Sequence, residues 1–415
     1  MASVVLASSE HRLAARRFEV ERLVAALAVV LVFADLPSVS RFEVSLIVSA
    51  ALAPVWLGLL RHYEGAVTIV TIAALALLNG LVLAMTAGSR LHGVSVEHGL
   101  SMTLHLLGFV SALGAVLWAR TRLPLPAIGL LAGLAMLLTV SRTSALYASN
   151  PWRFGWSIPV TIVVLSLAWW SGSRSLQVVA LLVLALLSVV NGGRSNFAML
   201  ALAAVLMVWQ ALAQRDGSRH SRSWIPIGLG LGLLAWVAYH AITWMILTGR
   251  FGSQAQERTV DQLNTSGSLL LGGRPELTAT LHLMAEQPFG FGLGVLPTLN
   301  DILVAKSGMA SINYDPNNGY VENYMLGHGF VLHSVFGDLW ANFGVLGLVL
   351  AAAVLVIGFR ATATRLQSGI AGGLVLYLLI RVAWGTGFSP FSTSHLTIAL
   401  FLGLVLIARR EEDPA

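Results

Sequence analysis

The sequence predicts an all-α, polytopic integral membrane protein, with about twelve transmembrane helices and one long, partly helical extracytoplasmic loop. Three observations carry that expectation. Of the 415 residues, 56% are hydrophobic and only 11% charged, with a mean hydropathy of +0.79. A soluble domain carries roughly a quarter charged residues, and its core cannot absorb such an apolar excess. Apolar stretches of about 20 residues, the length that crosses a bilayer, recur along the chain. Charge collects between those stretches. The same figures exclude disorder, which needs low hydrophobicity and high charge. There is no cysteine, so disulfides, thiolate metal sites and cysteine nucleophiles are excluded. The net charge of +6 comes from arginines between apolar spans, with Lys306 the single lysine. That pattern speaks of membrane topology and not of a nucleic-acid surface.

Taken in order, the candidate spans lie near residues 20–36, 42–60, 64–86, 100–120, 124–141, 157–172, 176–191, 195–213, 224–247, 331–358, 366–384 and 390–408. The amino terminus, with Arg12, Arg16 and Arg17, resembles an uncleaved signal anchor, since no small-residue cleavage site follows an apolar core. Leu123-Pro124-Leu125-Pro126 punctuates the entry to the fifth span. The sixth and seventh spans are short. No internal repeat or soluble accessory domain interrupts the pattern, so residues 1–415 form one transmembrane domain.

Basic residues in alternate loops set the orientation. One set holds Arg12, Arg16, Arg17, Arg22, Arg61, Arg120, Arg122, Arg174, Arg215, Arg219, Arg222, Arg360, Arg365, Arg409 and Arg410. The other short loops hold only Arg41, Arg90, Arg142, Arg153, Arg194 and Arg381. This imbalance expects both termini in the cytoplasm and residues 248–330 outside the cytoplasmic membrane. A loop this long is usually functional or disordered, and its apolar clusters with Tyr314, Tyr320 and Tyr324 argue for order. Within it Pro275 and Glu276 open a helix, Leu277, Leu281 and Met284 give it an apolar stripe, and Pro288 closes it. The turn Phe289-Gly290-Phe291-Gly292-Leu293-Gly294 is expected to pack on the membrane face.

Three polar features fall on that outer side. Gly192-Gly193-Arg194-Ser195-Asn196 opens the eighth span, where Ser195 or Asn196 can cap a helix whose N–H groups face outward beside a guanidinium. Such a terminus suits an anion, phosphate in particular; the plainer reading is an arginine snorkelling at the interface. Gly272-Gly273-Arg274-Pro275 repeats the design, with a solvated loop arginine as its plainer reading. His333, at the outer mouth of the tenth span, is a candidate proton acceptor or a hydrogen-bonded structural residue. His328 lies five residues earlier, and no ligand spacing makes the two histidines a metal site.

The run His333 to Gly347, with Gly344 and Gly347 eleven and fourteen residues after the histidine, resembles the signature of the O-antigen ligase and O-antigen polymerase family. Gly272-Gly273-Arg274 followed by Gln287-Pro288-Phe289-Gly290-Phe291-Gly292 is similar to the segment that precedes it there, and Gly193-Arg194-Ser195 to an upstream arginine motif. The resemblance covers roughly residues 185–358, and Ser334 departs from the Asn that many relatives carry. It implies a glycosyltransferase of the bacterial-type inner membrane, acting on its extracytoplasmic face without cofactor or metal and with inversion. The donor would be a polyprenyl-diphosphate-linked oligosaccharide, such as one on undecaprenyl diphosphate, and the acceptor a glycan or lipid. Arg194 and Arg274 would bind the diphosphate, and His333 would take the acceptor proton or hold phosphate. The alternative is a transporter or flippase for a lipid-linked or amphipathic substrate, although the chain lacks the related halves common in transporters.

Two charged residues fall within spans. Asp338 and Arg381 come to similar depth in the tenth and eleventh spans, and buried membrane charges usually pair. The expectation is an Asp338–Arg381 ion pair supporting the site, with Asn342 on the same seam. The competing reading makes Arg381 a third phosphate ligand, with Asp338 bonded only to Asn342.

Overall fold

The computed structural model describes residues 2–34, 44–215, 253–266 and 272–409, with a subset of those between 229 and 250. Arg41, Arg219, Arg222, Arg410, much of the ninth expected span, and the side chains of Arg12, Arg16, Arg17 and Arg215 lie outside the described residues. The described chain is helical and contains no strand, only isolated bridges between Tyr63 and Ala408 and between Val94 and Val295.

In chain order the helices are α1 (Ala2–Phe33), α2 (Val44–Ala51), α3 (Ala53–Leu59), α4 (Ala66–Met85), α5 (Val96–Ala119), α6 (Leu125–Leu138), α7 (Ala145–Ser149), α8 (Ser157–Trp170), α9 (Arg174–Val190) and α10 (Arg194–Arg215). There follow α11 (Ser253–Ser266), α12 (Glu276–Glu286), α13 (Leu299–Ala310), α14 (Val335–Gln367), α15 (Gly373–Phe388) and α16 (Phe391–Val405). Among the described residues five helices are long and apolar enough to cross a membrane: α4, α5, α8 with the π-helical turn Trp152–Trp156 before it, α10 and α14. Helices α6, α9, α15 and α16 are apolar but shorter. Helix α4 shows why water is the wrong solvent. It leaves Val67, Leu75, Leu78, Leu81 and Val82 exposed, a face that lipid solvates without cost.

Among the described residues, the apolar stretches drawn from hydropathy fall on helices, with local departures. The second is divided at Leu52, because Pro54 has no N–H to continue the ladder and starts α3 instead. The tenth begins at Val335, where the Ser334 side chain accepts from the Gly337 N–H, and it runs on to Gln367.

Polar contacts sort the bundle into two ends. At one end Arg120 donates to the Gly403 and Leu406 carbonyls, both at 2.8 Å, and Arg365 to the Val405 carbonyl at 2.8 Å. Arg174 donates to the Gly369 carbonyl there, and Arg122 pairs with Glu21 at 2.8 Å. All four arginines belong to the larger basic set. Carbonyls at helix C-termini carry partial negative charge, so the guanidiniums tie helix ends together. The opposite end carries Arg194, Arg274 and the segment 272–334.

That segment is built rather than loose. Thr298 caps α13 in a reciprocal box with Asp301, whose carboxylate also meets His92 Nε2 at 3.0 Å and so fastens the hairpin to the α4–α5 connection. Helix α12 forms where Pro275 and Glu276 open it, but its inward face is Glu276, Ala279, Thr280 and Leu283. Leu281 of the expected stripe is exposed. The cause is α13, which packs so closely there that a side chain on Gly308 would strike the Thr278 carbonyl.

The glycine-rich turn also differs from expectation. Instead of lying on the membrane face it is wedged between α4 and α14. The N–H groups of Phe291 and Gly292 donate to the Ala341 carbonyl at 3.0 and 2.9 Å, and that of Leu293 to the Gly80 carbonyl at 3.0 Å. Helix α14 is interrupted at Gly344 (φ 66°, ψ −153°), a conformation open essentially only to glycine. The interruption frees carbonyls in the turn before it. Asn79 covers one, donating to the Phe343 carbonyl at 2.8 Å, and the wedge takes another. Phe291 is fully buried, stacked on Phe330 at 3.9 Å and edge-on to Trp340. By helix rise the wedge meets α14 about 9 Å below its start.

Candidate functional site

Four side chains gather where α12 begins and α14 begins: Arg274, Glu276, Tyr320 and His333. Glu276 occupies the first position of α12, where the helix terminus favours a carboxylate. It is only 8% exposed, and its Oε1 accepts the Tyr320 hydroxyl at 2.6 Å. Its Oε2 is buried with no hydrogen-bond partner. Tyr320 precedes a π-helical turn, Val321–Met325, and its ring lies 5.9 Å from that of His333 at an interplanar angle of 36°.

His333 adopts a left-handed backbone conformation, φ 55°. For a non-glycine residue this costs on the order of 1 kcal/mol, so the surroundings must hold it. They do so from both sides. Ser334 caps α14, and the Asp338 carboxylate reaches back to the Leu332 N–H at 2.6 Å. The imidazole Nδ1 lies 3.1 Å from the Val331 carbonyl. A carbonyl only accepts, so Nδ1 carries the proton and Nε2 keeps its lone pair. Burial holds the imidazole below its ordinary pKa; the Glu276 charge opposes that shift and the Arg274 charge reinforces it. Burial and then the Glu276 charge push the Tyr320 phenol up, so it remains a hydrogen-bond donor. Arg274 is half-buried, its guanidinium carbon 6.0 Å from the centre of the Phe388 ring at the end of α15.

Arg194 stands at the same end of the bundle as the first residue of α10, exposed, and donates to the Thr259 hydroxyl of α11 at 3.1 Å. The structure brings Arg274 and His333 together, while Arg194 bonds to Thr259 of α11. Asn196 does not cap α10. It is buried, donating to the Ser188 hydroxyl at 2.9 Å and accepting from the Tyr377 hydroxyl at 3.0 Å. His328 is exposed and takes no part in the contacts joining the other four side chains.

The expected Asp338–Arg381 ion pair does not form. Both Asp338 oxygens are taken by backbone, Oδ1 by the Leu332 N–H and Oδ2 by the Phe391 N–H at 2.8 Å. Phe391 opens α16, so its N–H has no partner within its own helix, and a carboxylate is the natural cap. Asn342 bonds to the Asp338 backbone carbonyl at 3.0 Å, not to its carboxylate. Arg381 is half-buried, lining a small cavity with Ser389, Ser394 and Thr397.

Sequence reasoning missed Glu276 and Tyr320 as members of the site. Glu276 was legible as a helix opener only two residues after Arg274, and Tyr320 as an ordering aromatic. Their bond joins residues 44 apart, beyond any local spacing rule. No protein-family model, curated protein or solved structure matches the chain.

Proposed function

We propose that the protein is a glycosyltransferase of the bacterial-type cytoplasmic membrane, moving a glycan from a polyprenyl-diphosphate-linked donor to an acceptor hydroxyl on the extracytoplasmic face. The reading rests on the apolar helices of the bundle, on the orientation expected from the basic residues, and on the O-antigen ligase and polymerase resemblance. The observation that carries it is the meeting of Arg274, Glu276, Tyr320 and His333 at one end of a membrane bundle. His333 Nε2, with its lone pair available, takes the proton as the acceptor oxygen attacks the anomeric carbon. The bond from that carbon to the diphosphate oxygen breaks, and Arg274, with Arg194 along the same end, offsets the charge left on the diphosphate. Neither step requires a metal ion.

Transport of a lipid-linked substrate is the second reading, favoured by one observation: α14 is broken beside a re-entrant segment, a construction found at transporter sites. One assay separates the two. Purified protein in nanodiscs is given a lipid-linked oligosaccharide and an acceptor glycan, and free polyprenyl diphosphate is followed with time. Release that disappears in His333→Ala supports transfer. Movement of intact donor across a vesicle membrane with no release supports transport instead.

A further inference from the structure

We propose that Tyr324, Tyr320 and the Glu276 carboxylate form the face on which a pyranose ring of the acceptor is held. This rests on the transferase reading for the acceptor's role, but the binding face itself does not. Tyr324 is 67% exposed, so one side of its ring is open to a ligand. Its ring is 5.6 Å from that of Tyr320 at 30°, and Tyr320 in turn faces His333. Three rings therefore run from solvent to the imidazole.

The segment bearing them is stiffened by its own side chains. Asn318 donates to the Tyr314 hydroxyl at 3.1 Å and accepts the Tyr320 N–H at 2.9 Å, while Lys306 reaches both Asn317 and Glu322. A preformed aromatic face loses little freedom when a ligand settles on it. At the inner end lies Glu276 Oε2, a buried carboxylate oxygen lacking a partner, which a ligand donor would satisfy.

Charge selects the ligand class. The carboxylate repels a phosphate, while the Arg274 guanidinium beside it disfavours a metal cation. A neutral polyol remains. A pyranose fits both features, because its C–H face stacks on an aromatic ring while an equatorial hydroxyl donates to a carboxylate. The diphosphate then belongs on the Arg274 side and the acceptor sugar on the Tyr324 side, with His333 between.

The test uses the full-length protein in nanodiscs. The probe is the oligosaccharide released by mild acid from the lipid-linked glycans of the cell of origin. Saturation-transfer NMR should show contact on one C–H face of a sugar ring. Tyr324→Ala should weaken binding at least tenfold, Tyr324→Phe should retain it, and Glu276→Gln should weaken it with the Tyr320 contact preserved. With turnover as a second readout, Tyr324→Ala should raise the acceptor KM at least tenfold while leaving the donor KM unchanged. No binding to the wild-type protein, or equal binding to the Tyr324→Ala variant, overturns the proposal. Sugar binding without diphosphate release would refute the transferase reading alone; release without Tyr324-dependent binding would refute this inference alone.

Discussion

Replacing Asp338 by Asn should loosen the His333 segment without unfolding the bundle. The carboxylate receives two backbone N–H groups, from Leu332 at 2.6 Å and Phe391 at 2.8 Å. An amide keeps one acceptor oxygen and turns an NH₂ toward the other N–H, stranding one buried donor. That costs about 1–3 kcal/mol, and Asp338→Ala, which strands both, about twice as much. At about 2 kcal/mol the opening equilibrium of residues 326–334 rises roughly 30-fold. Hydrogen-exchange mass spectrometry on the protein in nanodiscs reads this directly. Faster exchange should be confined to peptides containing Leu332 and the start of α16. A charge swap makes the control: Asp338→Arg combined with Arg381→Asp should be no better than the worse single variant. Recovery in the double variant, or unchanged exchange in Asp338→Asn, would refute the capping role and restore an ion pair.

Four further expectations follow from the same geometry. Transfer should require neutral His333, whose pKa burial lowers. Its rate should therefore hold as pH falls through 6.5 and be lost at a midpoint below that value; a midpoint above 6.5 contradicts it. Arg274→Lys should lose most turnover, because an ammonium cannot reproduce the two-pronged contact with a diphosphate; full activity would remove Arg274 from that role. Gly344→Ala should destabilise by more than about 3 kcal/mol, since its Cβ would sit 2.5 Å from Asn79 Nδ2 in a backbone conformation alanine avoids, which a thermal scan in detergent would register. Turnover should survive a chelator, and restoration by Mg²⁺ after chelation would show that the arginines do not suffice.

Hydropathy made the helices legible because a bilayer imposes one length and one composition on every crossing. The arginines sorted the ends of the bundle for a related reason. Arg120, Arg122, Arg174 and Arg365 gather at one end, where helix C-termini supply carbonyls. What hydropathy could not show was how backbone polarity is satisfied inside the bundle. Its apolar residues place the glycine-rich turn on the membrane face by hydropathy, yet its N–H groups decide where it sits. Asp338 was assigned to Arg381 because charge seeks charge, whereas two orphan N–H groups lay nearer. Glu276 and Tyr320 escaped notice because their bond depends on how residues 311–324 fold over α12. Arg274 and His333 were found from their residue types and their places at helix ends, features that a sequence does carry.

The wedge between α4 and α14 also fixes an order of events during synthesis. Its acceptors are the Gly80 carbonyl, made early, and the Ala341 carbonyl, made some 260 residues later, with Asn79 bonded to Phe343 across 264 positions. Helix α4 can enter the bilayer long before the wedge exists, and the wedge is translated before the helix that completes its berth. Until α14 arrives, a segment with unpaired N–H groups must wait in the aqueous phase or at the headgroups, since hydrocarbon would not receive it. Closing this one layer thus couples segments translated some 260 residues apart. A nascent chain stopped before Val335 would hold an apolar, glycine-rich segment with nowhere to dock, a state that quality-control proteases can recognise.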